Sequence, residues 1–226
     1  MSNRLRRKVV PITILTVAAV VIGAVVYILR TEPPEAELPT RHIGDEWTYR
    51  VTEDNVYMFH HEVIAEETVD NKNCYVIEVI PTPPHRHDTG DICYGGNEWV
   101  DKKTGLLIKK QISVEFVGTS FMETQTFIYH SEVNMWPLKV GKEVTVTTTV
   151  IENSTLFGID NRTLTGTVKV EKREDITVPA GTFTCFKVVF YEGGDVLKTS
   201  WYSNSAKHWV KTIYSETGAI YELMSY

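Results

Sequence analysis

The chain has 226 residues, 42% of them hydrophobic and 11% aromatic, which is enough apolar side chain for an ordinary core and excludes a wholly disordered polymer. Its net charge is −6, yet residues 1–30 carry five bases and no acids, leaving 18 bases against 29 acids in the remainder. An acidic surface of that kind argues against nucleic acid as a partner.

The first element is the run Val9 to Leu29, "VVPITILTVAAVVIGAVVYIL", 21 residues without a charge. As a helix rising about 1.5 Å per residue it crosses a hydrocarbon layer of roughly 30 Å. Residues 1–8 supply Arg4, Arg6, Arg7 and Lys8, while "TEPPEAELP" beyond the run is acidic, so the positive-inside bias places the N-terminus in the cytoplasm and everything after residue 29 outside it. A cleaved signal peptide competes, but its apolar region is ordinarily shorter and ends in a small-x-small site, whereas this one ends Tyr27, Ile28, Leu29, Arg30. The expectation is an uncleaved anchor. Residues 30–42, with Pro33, Pro34 and Pro39 among glutamates, are expected to be an extended spacer holding the next domain off the membrane.

From residue 43 to 226 the pattern is of short β-branched and aromatic runs broken by turn residues, which predicts an all-β domain. Strands are expected at 47–51, 56–68, 74–80, 106–117, 122–129, 143–151, 165–171, 183–191, 197–202, 209–214 and 219–223. The connectors "KKTG", "VPAG", "EGGD" and "SETG" carry turn chemistry.

The domain resembles itself, in halves of about 43–115 and 140–226. "IGDEWTYRV" aligns with "VGKEVTVTT", matching Gly44 to Gly141 and Glu46 to Glu143. Cys74 matches Cys185, Trp99 matches Trp201, and Ile108 matches Val210. Spacing between the matches implies an insertion in each half: the first contains "PPHRHDTGDIC", the second "IENSTLFGIDNRT".

The runs "WPLKVGKE", "ITVPAGTFTCFKV" and "WYSNSAKHWVKT" resemble a broad family of uncharacterised exported β-rich domains of archaea and bacteria, over most of residues 43–224. That resemblance implies a strongly curved antiparallel sheet or half-barrel, similar in outline to lipoprotein carriers of the Lol type, and it implies no catalytic residues. Val144 departs from the aromatic residue the family usually shows there.

Candidate chemistry is sparse. His85 and His87, two apart with Asp88 following, would point to one face of a strand and are the candidate metal ligands, with Asp91, His60 and His61 as possible companions. Against that, prolines precede the pair and Asp-Thr-Gly follows, the composition of a turn. His60 and His61 are neighbours on a strand and are expected to face opposite sides. Three cysteines outside the cytoplasm point to one disulfide, with Cys74 and Cys93 as the pair flanking the inserted loop and Cys185 as a core residue. Asn153 and Asn161 head the two N-x-[ST] sequons. No nucleophile elbow, P-loop, zincin or dinucleotide motif is present in the sequence, and no cofactor is expected. Trp99, Trp201, Trp209, Tyr202 and Phe183 either line a concave apolar site or are simply core.

The leading expectation is therefore a non-enzymatic, membrane-anchored extracytoplasmic binding or interaction module, for an apolar ligand or a cell-envelope protein. A metal site on the His85/His87 loop is the second. A surface-filament subunit is the third, since the N-terminal run loosely looks like an archaeal pilin helix but lacks the small residue after its bases.

Overall fold

The computed structural model describes residues 35–86 and 90–226. The basic segment, the apolar run at 9–29 and its pilin-like reading, and also His87 and Asp88, lie outside the described residues. Among those described, no helix is long and apolar enough to cross a membrane.

Thirteen strands are described: β1 Glu46–Thr52, β2 Val56–Val69, β3 Lys72–Thr82, β4 His85–Arg86, β5 Ile92–Asp101, β6 Leu107–Phe116, β7 Thr119–Tyr129, β8 Glu143–Ser154, β9 Gly158–Val178, β10 Gly181–Glu192, β11 Asp195–Ser203, β12 His208–Tyr214 and β13 Ile220–Ser225. Each pairs antiparallel with its neighbours, β13 returns to β1, and β3 pairs with β5 as well as β2. The ring is closed: twelve strands form an up-and-down barrel, with β4 attached beside the start of β5. Closure satisfies the backbone groups that an open sheet leaves at its edges. The half-barrel expected from the resemblance is corrected here, because an open curved sheet would leave β3 and β5 unpaired.

Closure depends on a strand that the sequence pattern hides. β5 contains Gly95, Gly96 and Asn97, which read as turn residues, and no strand is expected there. In the structure Gly95 has φ +95° at a bulge, and a Cβ on it would strike the Val79 carbonyl oxygen of β3. A Cβ on Gly96 would strike the Gln111 carbonyl oxygen of β6. The glycines let two neighbouring backbones approach from both sides, which is the close-approach use of the residue.

Several connections are two-residue turns with positive φ at both positions: Asp70 and Asn71, Val117 and Gly118, Gly193 and Gly194. Such turns match the right-handed twist of the flanking strands. Val117 is the exception chemically, since a β-branched residue at φ 50° is strained.

The two runs of six strands repeat contacts in detail. Gly44 N–H donates to Val63 O and Gly141 N–H to Val170 O, both at 2.8 Å, while Val63 N–H donates to Asp45 O and Val170 N–H to Lys142 O, both at 2.9 Å. One residue on, Ile64 in β2 and Glu171 in β9 are each left unpaired by a bulge. The Trp99 indole N–H donates to Glu67 at 2.8 Å, and the Trp201 indole N–H to Glu174 at 2.9 Å. Bulges opposite these tryptophans leave Ile108 and Val210 unpaired, and each is the most buried residue of its strand.

Two differences interrupt the match. In β8–β9, 27 residues separate Glu143 from Val170, against 17 between Glu46 and Val63. In β9–β10, Glu174 and Cys185 are eleven apart, whereas Glu67 and Cys74 in β2–β3 are seven apart. The longer β9–β10 hairpin brings Val178 and Phe183 into the main core with Cys185, Trp201, Val210 and Leu223. Around the shorter β2–β3 hairpin lies a smaller core of Cys74, Val76, Trp99 and Ile108, and an open cleft of about 1090 Å³ beside it is lined by Glu66, Lys72, Asp101, Lys102, Tyr129 and His130 among others.

Residues 35–42 are not a free spacer. Ala36 exchanges backbone hydrogen bonds with Leu138 at 3.0 and 2.8 Å, Glu35 pairs with Lys139 at 2.8 Å, and the Arg41 N–H donates to the Tyr75 hydroxyl at 3.1 Å. Ala36 and Leu138 are fully buried beside Val170, Phe186 and Tyr202. This strap runs over the barrel end that holds the β2–β3 and β9–β10 hairpins. The part of the expected spacer that is described, residues 35–42, is docked rather than solvated, because extended chain binds a neighbouring backbone as readily as water.

Candidate functional site

Of the three metal candidates on the loop, His85 is the one described. It sits on β4 opposite Cys93, 8% exposed, with its Nε2 3.3 Å from Glu53 Oε2 and its ring edge-on to Tyr57 at 4.5 Å. This places the imidazole in an aromatic wall facing a carboxylate. Among the described residues no group of three or more His, Cys, Asp or Glu side chains is arranged to hold a metal ion. His60 and His61 do face opposite sides. His60 is near Thr48 Oγ1 at 3.4 Å and Glu46 at 3.8 Å, while His61 stacks on Trp47 at 5.3 Å and meets Tyr49 edge-on.

The expected disulfide is not formed, and all three cysteines are free. Cys74 lies opposite Asp101 of β5, whereas Cys93 is at the other end of that strand. Eight residues of strand span about 27 Å, and a disulfide needs Cα atoms within about 7 Å. Flanking a loop in sequence does not bring its ends together when the loop returns along a strand. Cys185 is fully buried, its thiol pushed up to about 12 by burial, as its reading as a core residue requires.

Nor do the five aromatics converge on a concave site. Trp99 belongs to the small core, Trp201 and Phe183 to the main core, and Tyr202 and Trp209 to a third cluster. None of them lines the open cleft. Trp99 is on β5 and Phe183 on β10, while Trp201 and Tyr202, adjacent on β11, point to opposite faces, and only Tyr202 meets Trp209 of β12. Asn153 and Asn161 are exposed on β8 and β9, close to the tip of their hairpin.

A different group does converge, at the barrel end beneath the strap. The Arg41 guanidinium lies 4.4 Å over the Trp47 ring, with Nη2 3.4 Å from His208 Nδ1. His208 is 8% exposed and packs 4.8 Å from Trp47. Burial, then Arg41, then His61 push the His208 imidazole down to about 3, so it is neutral and accepts from Arg41. His61 is held at about 4, mainly by burial. The Tyr49 hydroxyl donates to the Trp209 carbonyl at 2.7 Å, and burial raises Tyr49 far above its ordinary range.

Two donors at this end are not satisfied. The Tyr202 hydroxyl, on a residue 1% exposed, and the Trp136 indole N–H have no hydrogen-bond partner among the described residues. Their rings meet edge-to-face at 4.9 Å, and both stand close to Trp209. Burial raises Tyr202 to about 12, partly offset by the Arg41 charge. Burial lowers the Arg41 pKa, and the nearby Tyr49, Tyr202, Asp45 and Tyr75 act in the opposite direction.

Arg41, Trp47, Tyr75, Trp136 and His208 are absent from the candidates that the sequence offers. The available signal is the base of "TRHIGDEW", which ends an acidic segment directly ahead of the first strand.

The architecture is thus a closed antiparallel β-barrel with a docked N-terminal strap. No family model matches the sequence, and no curated protein does. Two solved structures are similar in fold. One is described as an exported protein with a YmcC-like fold from Bacteroides fragilis, at 11% identity and a TM-score of 0.43. The other is described as a lipoprotein from Parabacteroides distasonis, at 14% identity and a TM-score of 0.36. Each alignment covers 84% of this chain and 98% of the other. At these scores the likeness carries no inference about what this chain does.

Proposed function

We propose that the chain is a membrane-anchored extracytoplasmic module whose β-barrel binds a ligand or a cell-envelope partner rather than catalysing a reaction. The observation that carries this reading is the docked strap. Residues 35–42 belong to the barrel, so any spacer between an anchor and the barrel lies before residue 35. The apolar run of 9–29 and its basic flank supply the anchor and its orientation. The binding reading is supported by the lack of a catalytic motif in the sequence, and the perturbed titratable groups are engaged in contacts within the barrel. His61 and His208 are held neutral by burial. Glu171, Glu174 and Glu222 are held below their ordinary range by hydrogen bonds from Lys187, Trp201 and Arg50 respectively. The matched bulges and indole–carboxylate pairs further support an origin by duplication of a six-strand unit.

The test is protease treatment of intact and opened cells expressing the full chain with an N-terminal epitope. The reading predicts that the barrel is cut away from intact cells by cleavage within residues 30–34 while the epitope survives. A barrel protected until the cells are opened would sink it.

A further inference from the structure

We propose that the open cleft beside the β2–β3 hairpin receives the apolar hairpin tips at the far end of a second copy of this chain. The second run of six strands shows what fills the corresponding space. There the β9–β10 turn is four residues longer, eleven steps from Glu174 to Cys185 against seven from Glu67 to Cys74. It reaches across to β13: the Ala180 N–H donates to Leu223 O at 3.0 Å, and the Phe183 ring meets Tyr226 at 5.9 Å. The segment that does this, residues 176–184, carries no charge. In the first run β7 holds the place of β13, and among the described residues no backbone hydrogen bond joins the short β2–β3 turn to it. The cleft occupies that gap, between Asn71 and Asn73 on the turn and the chain from Tyr129 to Val133 that leaves β7.

The cleft selects an uncharged occupant because its own charges are already engaged. Lys102 pairs with Glu66 at 2.7 Å and Lys103 with Glu132 at 4.0 Å, Glu67 accepts from the Trp99 indole, Asp101 accepts from the Thr104 hydroxyl, and Lys72 lies 5.9 Å over the Tyr129 ring. Leu106 and Tyr129 add apolar wall. A matching element stands at the opposite barrel end, since β9 runs its 21 residues from there to the β9–β10 turn. The β6–β7 and β8–β9 tips are joined by the Thr155 N–H donating to Met122 O at 3.1 Å, and by Phe157, whose ring meets Phe116 at 6.0 Å and Phe121 at 5.5 Å. Val117 is 85%, Ile159 72% and Phe157 69% exposed, with Leu156 and Met122 also exposed beside them. Neither 116–122 nor 153–159 contains a charged side chain. Adjacent large apolar side chains left in water mark a contact surface. Tips and cleft lie at opposite ends of one barrel, so a copy cannot satisfy itself, and the tips of one copy enter the cleft of the next in a head-to-tail contact.

This inference names the partner of the proposed binding module and rests on that reading, but the two fail separately. The protease experiment tests where the barrel is displayed, whereas the contact is tested on the full chain in lipid nanodiscs holding one copy each. With p-benzoylphenylalanine in place of Phe157, isotopically heavy and light copies would be mixed and photolysed, and the products mapped by mass spectrometry. Crosslinks from position 157 of one copy to 101–106 or 129–133 of another are expected. Lengthening the β2–β3 turn by four residues, to match β9–β10, should remove them by filling the cleft from within. Sedimentation gives a second readout. A contact of this size falls in the weak class, below about 1,200 Å² of buried surface, so wild-type discs should associate as concentration rises. Phe157→Ser, at an exposed position that the fold does not need, should weaken this by about tenfold or more; this readout survives if the lengthened turn fails to fold. Phe157→Ser and the lengthened-turn chain should each stay single but pair one-to-one when mixed, since the first keeps the cleft and the second keeps the tips. Crosslinks to disc lipid would assign the tips to a membrane surface, and crosslinks to the same tips of another copy would assign a symmetric contact. Either result, or failure of the folded variants to pair, would overturn the proposal.

Discussion

At the residue scale, burial decides which groups titrate and react. His61 at about 4 and His208 at about 3 lie below the 6.5 of an unfolded histidine. Between those values the unfolded chain binds more protons than the folded one, so stability is full above about pH 6.5 and is lost as pH falls toward 4 and then 3. Each histidine contributes a slope of up to about 1.4 kcal/mol per pH unit. Urea midpoints from pH 7 to 4.5 should therefore fall steeply, and His61→Phe should flatten the curve; an unchanged slope would contradict the neutral, buried assignment. The thiols give an independent check. Cys93 is half-buried while Cys74 and Cys185 are buried, so native protein should label at Cys93 first and denatured, unreduced protein at all three. A disulfide-linked pair after denaturation would contradict the register. The sequence signals Cys185 as core through its apolar neighbours, but it hides the Cys74–Cys93 distance, which only strand pairing sets. Likewise the unsatisfied Tyr202 hydroxyl has no sequence signature.

At the element scale, turns and glycines set the register. Val117, 85% exposed at φ 50°, gains nothing from burial and carries backbone strain, so Val117→Asn should stabilise by about 1 kcal/mol, measured by chemical unfolding. Gly96→Ala should cost more than about 3 kcal/mol, because the new Cβ meets backbone on β6 that cannot move without breaking the ladder. A mild effect would show that β5 does not sit between β3 and β6 as described. Most strands were legible from β-branched alternation, within a few residues of their ends. β5 was not, because the glycines that allow two close neighbours look like a turn when read alone. β9 was legible only in its middle, since the exposed Gly158–Leu164 stretch is polar and gains its strand form by pairing with β8.

For the whole molecule, closure is the property on which the rest depends. It removes the sheet edges, positions the strap over one end and encloses Arg41 among aromatics. The repeat was legible in Gly44/Gly141, Cys74/Cys185 and Trp99/Trp201, because buried and bulged positions constrain residue type. The closed ring was not, because nothing in a local pattern states whether the third strand meets the fifth. The most direct test is native-state hydrogen exchange of the β3 and β5 amides that pair between Cys74–Val79 and Gly96–Asp101. A closed barrel predicts that they exchange as slowly as the β9–β10 amides, through global unfolding alone. Exchange at the rate of a free sheet edge, with β9–β10 still protected, would contradict closure and with it the enclosed site.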